Sequence, residues 1–323
     1  LRTLKLAAES WPVAGSFRIS RSSLTEIVVV TAKITEGPYH GVAECRPYAR
    51  YNEDAHSVIR KIETIRTEIE NGSANLDTLA SLLPAGAARN AIDCALWNLR
   101  ANQTGRSIGD MLNLPAPTPR KTAFTLSIDT PENMFESARA AGAHQLLKIK
   151  IAGLDGLQSC EAALAARPDA ELIIDANEAL SPQDLMTLRY RTAHLPVIMI
   201  EQPLHNDIFD HIPNAPDALP IICADESLHS RKDLKKLWSA GYRAVNVKLD
   251  KCGGVSETFH VMKEARNMGF IVMAGCMVGT SLAMRPILAL ESLADYIDLD
   301  GPLLLARDRE QALRYEGSRI FPD

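Results

Sequence analysis

No stretch of this 323-residue chain approaches the roughly 18 consecutive apolar residues of a membrane-spanning helix, so no membrane partner is expected. The opening Leu1-Arg2-Thr3-Leu4-Lys5 has no apolar signal-peptide core, and the expectation is a soluble cytoplasmic protein. The six cysteines (Cys45, Cys94, Cys160, Cys223, Cys252, Cys276) include no C-x-x-C pair, which removes the grounds for a disulfide framework or a zinc site. The eight histidines form no H-E-x-x-H or triad pattern, and Cys252-Gly253-Gly254 is a turn after a strand rather than a nucleophile motif. Basic residues are not in surplus: 35 Lys and Arg against 40 Asp and Glu give a net charge of -5, which argues against a nucleic-acid partner. Homo-oligomeric assembly is compatible with all of this.

What is present is a large core: 46% of the residues are hydrophobic, enough for two domains or for one barrel with an accessory domain. Residues 1–113 mix strand and helix signals. Residues 26–34 are β-branched and strand-like, Glu36-Gly37-Pro38 is a turn, and residues 39–45 can pair back as a hairpin. Residues 55–71 carry Val58, Ile62, Ile65 and Ile69 at helical steps, with Asn71-Gly72 as the stop. Residues 85–97 place small side chains at helical spacing, which suits a helix packed close to its neighbours. Pro115, Pro117 and Pro119 then mark a domain boundary.

From Lys121 the pattern becomes strands alternating with helical segments. Candidate strands are residues 122–128, 146–151, 171–176, 197–201, 221–225, 244–249, 271–275 and 296–299. Their spacing of roughly 23 to 27 residues is the period of βα units closing into a barrel. A doubly wound open sheet would need an early glycine-rich nucleotide turn, and none is present. The reading is therefore an α/β protein in three parts: an α+β capping domain at 1–113, a modified TIM barrel at 114–305, and a segment at 306–323 that returns to the capping domain.

Leu146-Leu147-Lys148-Ile149-Lys150-Ile151 puts two lysines on one face of a strand whose other face is apolar. In a doubly covered sheet such a row of ammonium groups needs anions. The next three strands end in Asp175, Glu201 and Asp225, and the strand after them ends in Lys248. At the C-terminal face of a barrel, three hard oxygen donors from adjacent strands make a site for Mg²⁺. The competing reading, that acids merely end strands where loops begin, is common for one strand and rare for three in succession. Lys150 and Lys248 then stand as two bases on opposite sides of the metal. A second ammonium, Lys148, beside a divalent cation is expected to lower the amine pKa.

Lys148-Ile149-Lys150, Asp175-Ala176-Asn177, Glu201-Gln202-Pro203, Ala224-Asp225-Glu226-Ser227 and Asn246-Val247-Lys248 resemble, in order, the motifs of the muconate-cycloisomerase-like subgroup of the enolase superfamily, and the likeness covers essentially the whole chain. The resemblance implies a capping domain on a (β/α)7β barrel, with Mg²⁺ held by Asp175, Glu201 and Asp225. It also implies loss of a proton α to a carboxylate to give a metal-stabilised enolate, with a lysine on each face. Asn177, Glu178 and Glu226 adjoin the ligands and are candidates for orienting them.

Asp298-Leu299-Asp300 puts two further carboxylates on one face at the last strand end, which calls for a cation; a loop-capping pair is the alternative. As a family trait, this Asp-x-Asp is similar to the element with which dipeptide epimerases hold the substrate ammonium. That resemblance implies a small-molecule dipeptide partner, L-Ala-D-Glu and L-Ala-L-Glu as the interconverted pair, and a role in recycling murein peptides. A same-fold lyase or cycloisomerase and a non-catalytic peptide-binding barrel are the alternatives. An acidic second residue would need a cation outside the barrel: Arg21 is the first candidate, Arg18 and Arg50 compete, and a solvated arginine is the bland reading. Cys276 and Met277 either line the pocket or form a buried pair.

Overall fold

The computed structural model describes residues 1–19, 22–208, 212 and 219–322. The first part of the chain is an antiparallel sheet of β1 (Arg2–Ile19), β2 (Ser22–Glu36) and β3 (Tyr39–Cys45) in that order. Alternation along β2 buries both faces: Val30, Ala32 and Ile34 enter the main core, while Ile27 and Val29 pack with Val13 and Leu305. Five helices follow: α1 (Ala55–Glu63), α2 (Arg66–Asn71), α3 (Leu79–Leu82), α4 (Ala87–Thr104) and α5 (Ile108–Met111). Residues 55–71, expected as one helix, are two. The Thr64 hydroxyl turns back to donate to the Lys61 carbonyl at 2.8 Å, and the backbone leaves helical dihedrals at Ile65.

Small residues let α4 lie close to the sheet. Ala87, Ala88, Ala91 and Ala95 are buried, and a Cβ on Gly41 of β3 would stand 2.0 Å from the Ala95 carbonyl oxygen, so only glycine fits there.

After the short β4 (Arg120–Lys121), strands and helices alternate: β5 (Phe124–Leu126), α6 (Pro131–Ala140), β6 (Leu146–Lys150), α7 (Gly156–Ala166), β7 (Glu171–Asp175), α8 (Pro182–Thr192) and β8 (Val197–Glu201). Then come β9 (Ile221–Ala224), α9 (Arg231–Ser239), β10 (Ala244–Lys248), α10 (Leu249–Cys252), α11 (Val255–Asn267), β11 (Ile271–Gly275), α12 (Ser281–Leu288) and β12 (Tyr296–Asp298). Among the described residues no helix stands between β8 and β9. The eight strands β5 to β12 neighbour one another in sequence order and are parallel throughout. A bridge between Thr122 and Ile297 closes the ring, reinforced by the Ala123 N–H on the Ile297 carbonyl at 2.8 Å.

The two faces of each strand have different tasks. Leu147 and Ile149 point outward into the core shared with the helices. Leu146, Ile173, Met199, Cys223, Ala244 and Met273 point inward and plug the barrel. Side chains two residues further on form the next inward layer, and there the charged residues begin. Past the barrel, Leu305 bridges to Val13, Arg309 reaches Glu9 and Glu44 of the first sheet, and β13 (Arg314–Glu316) turns into β14 (Arg319–Phe321), which pairs with β4.

Helix α4 locks the first domain onto the barrel beyond β10. The Arg89 guanidinium donates to the Cys252 carbonyl at 2.5 Å, Asn90 donates to Asp250 at 2.8 Å, and Asp93 accepts from the Ser256 N–H at 3.0 Å. Burial pushes the Asp93 carboxyl up to about 6, although the Ser256 hydrogen bonds act the other way. The folded chain thus keeps a proton that the unfolded chain loses near 3.8, so this stabilisation is complete below the unfolded value and disappears as pH rises through about 6. Stability from urea unfolding should lose about 3 kcal/mol from this group across that window, and Asp93→Asn should flatten the profile there. An unaltered slope in the variant contradicts the assignment.

Candidate active site

The parallel register brings Lys150, Asp175 and Glu201 into one row across β6, β7 and β8, and Lys248, Gly275 and Asp298 into another across β10, β11 and β12. Asp225 follows β9 directly. On an eight-strand ring, β6 and β10 are four strands apart, so Lys150 and Lys248 rise from opposite walls.

Lys148 sits at the centre. Its Nζ lies 2.7 Å from Asp298 Oδ2, 2.8 Å from Glu201 Oε2 and 3.1 Å from Asp175 Oδ2. Lys150 Nζ is 2.5 Å from Asp175 Oδ2 and 3.1 Å from Asn177 Oδ1. Lys248 Nζ is 2.7 Å from Asp225 Oδ2, and Lys251 Nζ is 2.5 Å from Asp225 Oδ1 while also donating to the Asp225 and Asn246 carbonyls. Lys251 was not singled out from sequence; a second lysine three residues after the strand-end Lys248 was the available signal.

These contacts set the protonation states. Burial works against ionised Asp175, but Lys150 and Lys148 outweigh it and hold the carboxyl at about 2. Burial likewise opposes ionised Asp225, which Lys248 and Lys251 hold well below the usual range. Glu201 goes the other way, to about 8, because burial and the Asp175 charge outweigh Lys148. At Lys248 burial favours the neutral amine, but Asp225 overrides it and pushes the value well above that of an ordinary lysine.

The loops that carry the acids are tightly specified. Asn177, Glu178 and Gln202 have φ of 42°, 71° and 33°, a left-handed region that non-glycine residues seldom occupy outside constrained sites. The Gln202 side-chain oxygen accepts the N–H groups of Asp225 and Ser227 at 2.8 and 3.1 Å, which ties the loop after β8 to the loop after β9. Asn246 donates to Glu201 Oε1 at 2.8 Å, and a Cβ on Gly275 would fall 2.0 Å from the Asn246 side-chain oxygen. Asn177 donates to Glu226 Oε1 at 3.2 Å. Glu178 turns instead to Arg50, in a two-pronged pair at 2.9 and 3.0 Å, so Arg50 is committed across the domain junction.

A cavity lies between the barrel mouth and the first domain. Lys148, Lys150, Asp225, Glu226, Lys248, Asp298 and Asp300 line its barrel side together with Cys276 and Met277; Phe17, Leu24, Arg46, Tyr48 and Tyr51 line its other side. Asp175 and Glu201 lie beneath the floor, with no exposed surface. Asp300 Oδ2 accepts the Thr125 N–H at 2.6 Å, part of what a loop-capping role would require, and burial together with the Asp298 charge raises its carboxyl to about 6. Arg21 lies outside the described residues, and Arg18 is exposed.

As the side chains stand, no three carboxylate, imidazole or thiolate groups among the described residues converge on one point where an ion would bind. The donor set nonetheless suits a hard divalent cation. Glu201 Oε2 is buried and, although 2.8 Å from Lys148 Nζ, lacks hydrogen-bond geometry. Six carboxyl groups (Asp175, Glu201, Asp225, Glu226, Asp298, Asp300) stand against four amines (Lys148, Lys150, Lys248, Lys251), so oxygen donors outnumber the amines that could neutralise them.

Residues 1–113 match the family described as mandelate racemase / muconate lactonizing enzyme, N-terminal domain, and residues 132–320 match enolase C-terminal domain-like. The chain is similar to the L-Ala-D/L-Glu epimerase of Escherichia coli (strain K12), 42% identical over 321 residues that span 98% of each chain. It is also similar to the N-acetyl-D-glutamate racemase of a Pseudoalteromonas species, 40% identical over 92% of each chain. Among solved structures, an enolase family member from Agrobacterium tumefaciens with homology to dipeptide epimerases, bound to sodium and L-Ala-L-Glu, superposes with a TM-score of 0.93. That pair is 39% identical, and the match covers 100% of this chain and 98% of the other. By fold and by sequence over both domains, this chain belongs to the mandelate racemase / muconate lactonizing enzyme family of the enolase superfamily.

Proposed function

We propose that the protein is a Mg²⁺-dependent dipeptide epimerase that interconverts L-Ala-D-Glu and L-Ala-L-Glu in the recycling of murein peptides. The observation that carries the reading is the pair of amines on opposite walls of one barrel mouth, Lys150 beside Asp175 and Lys248 beside Asp225. The names of the Escherichia coli relative and of the ligand in the Agrobacterium tumefaciens structure support the substrate pair.

The chemistry asks for two bases in opposite protonation states. An α-proton beside a carboxylate is very weakly acidic, so it leaves only if the second negative charge is offset as it develops. Mg²⁺ held by Asp175, Glu201 and Asp225 would supply that charge. One lysine, as the free amine, takes the proton from one face: the Cα–H bond breaks and an N–H bond forms. The opposing ammonium gives its proton to the other face of the planar enolate, and the carbon inverts. The reverse reaction exchanges the two roles. Asp298 and Asp300 take the substrate ammonium, Lys148 holds Asp298 in place through its hydrogen bond, and Asn177 and Glu226 hold the loops above the acids. Cys276 and Met277 form the wall beside the dipeptide.

Incubation with L-Ala-L-Glu and Mg²⁺ in heavy water should give α-deuterium together with L-Ala-D-Glu, and chelation should stop both; no exchange would contradict the reading. N-acetyl-glutamate is the informative second substrate, because it lacks the ammonium. Asp298→Asn should raise the KM for the dipeptide about 10- to 150-fold, the worth of one charged hydrogen bond, and leave Mg²⁺ binding measured by titration unchanged. Equal losses in dipeptide and metal binding would count against the ammonium role.

A further inference from the structure

We propose that Arg46 selects substrates whose epimerised residue carries an anionic side chain, an inference that rests on the epimerase reading and specifies its substrate class. Arg46 is the one guanidinium among the described residues that lines the cavity. It follows β3, where its main-chain N–H donates to Asp250 Oδ1 at 2.9 Å and its Nη1 donates to the Val28 carbonyl at 2.8 Å and the Pro47 carbonyl at 3.2 Å. One edge of the fork is therefore pinned. Nε and Nη2 make no hydrogen bond and the group makes no ion pair among the described residues, which leaves a fixed cation with donors to spare.

Among the described residues, the lysines at the mouth and Arg50 are already committed. Lys148, Lys150 and Lys248 each sit on a carboxylate, and Arg50 holds Glu178. Phe17, Leu24 and Val278, which pack on one apolar cluster, line the same cavity, so an ion pair formed inside it is less weakened by water than one at an open surface. The cavity thus offers an acidic pair at Asp298 and Asp300, two amines at the centre and a preset guanidinium on the opposite domain. That layout complements a molecule with an ammonium at one end, a carbon acid in the middle and a side-chain carboxylate. A planar fork suits a carboxylate better than a neutral amide, because each added N–H is met by a charged oxygen.

The test compares kcat/KM for α-proton exchange with L-Ala-L-Glu and with its uncharged near-isostere L-Ala-L-Gln, in the unaltered protein and in Arg46→Met. The unaltered protein should favour the Glu dipeptide. Arg46→Met should lower kcat/KM for the Glu dipeptide about 10- to 150-fold and that for the Gln dipeptide less than about threefold. A merely structural role would lower both by the same factor, and an equal fall or an unchanged ratio overturns the inference. Should Arg46→Met fail to fold, as judged by its thermal unfolding, Arg46→Lys decides: a lowered preference for Glu over Gln in the folded Lys variant supports the role, and an unchanged preference with an unchanged KM overturns it. Exchange with neither dipeptide in the unaltered protein overturns the epimerase reading and this inference together, whereas exchange that ignores Arg46 overturns the inference alone.

Discussion

An ammonium group buried inside a closed barrel is the constraint on which the rest depends. Lys148 has almost no exposed surface, and such a charge survives folding only when it is paired and hydrogen-bonded. It meets Glu201, Asp175 and Asp298 from three different strands, so the strand ends cannot slide without stranding a charge. Lys150 shares Asp175 with it, and Asp225 is held between Lys248 and Lys251. Each acid is thereby aimed at the barrel axis by an amine before any substrate arrives. Breaking one pair would leave its partner uncompensated in a low-dielectric interior, a penalty larger than the pair itself contributes.

Preorganisation of this kind needs support from outside the ring. Left-handed backbone at Asn177, Glu178 and Gln202 is held by cross-loop hydrogen bonds, such as the Glu178 N–H on the Gln202 carbonyl at 2.7 Å. The first domain adds the opposing wall and is fastened to the barrel at three places. Arg89, Asn90 and Asp93 grip the turn after β10; Arg50 grips Glu178; and Glu44, buried in β3, accepts from the Thr280 N–H at 2.8 Å and from Arg309 at 2.6 Å. These contacts fix the distance from Arg46 and Tyr51 to the lysines.

Position was far more legible in the sequence than environment. Period-two alternation and regular spacing place Lys148, Lys150, Asp175, Glu201 and Lys248 at the ends of neighbouring strands, because a buried strand has few other ways to satisfy its pleat. The same patterns could not disclose β1, whose 18 residues are interrupted by Pro12 and Gly15 and whose pairing with β2 shifts between Pro12 and Phe17. Nor could they show that residues 55–71 break at Ile65, since the apolar period continues across the break. Arg46 and Lys251 escaped because their significance lies in what they face across domains or loops, which linear spacing does not encode. Sequence likewise did not show the 2.7 Å contact between Lys248 and Asp225.

The central claim is that two amines on opposite walls serve opposite faces of one carbon. The most direct measurement is α-proton exchange in heavy water by Lys150→Ala and Lys248→Ala, each given L-Ala-L-Glu and L-Ala-D-Glu separately. The account predicts that neither variant epimerises, while each still exchanges one epimer and the two variants choose opposite epimers. Exchange of the same epimer by both variants, or epimerisation that survives loss of either lysine, would contradict it.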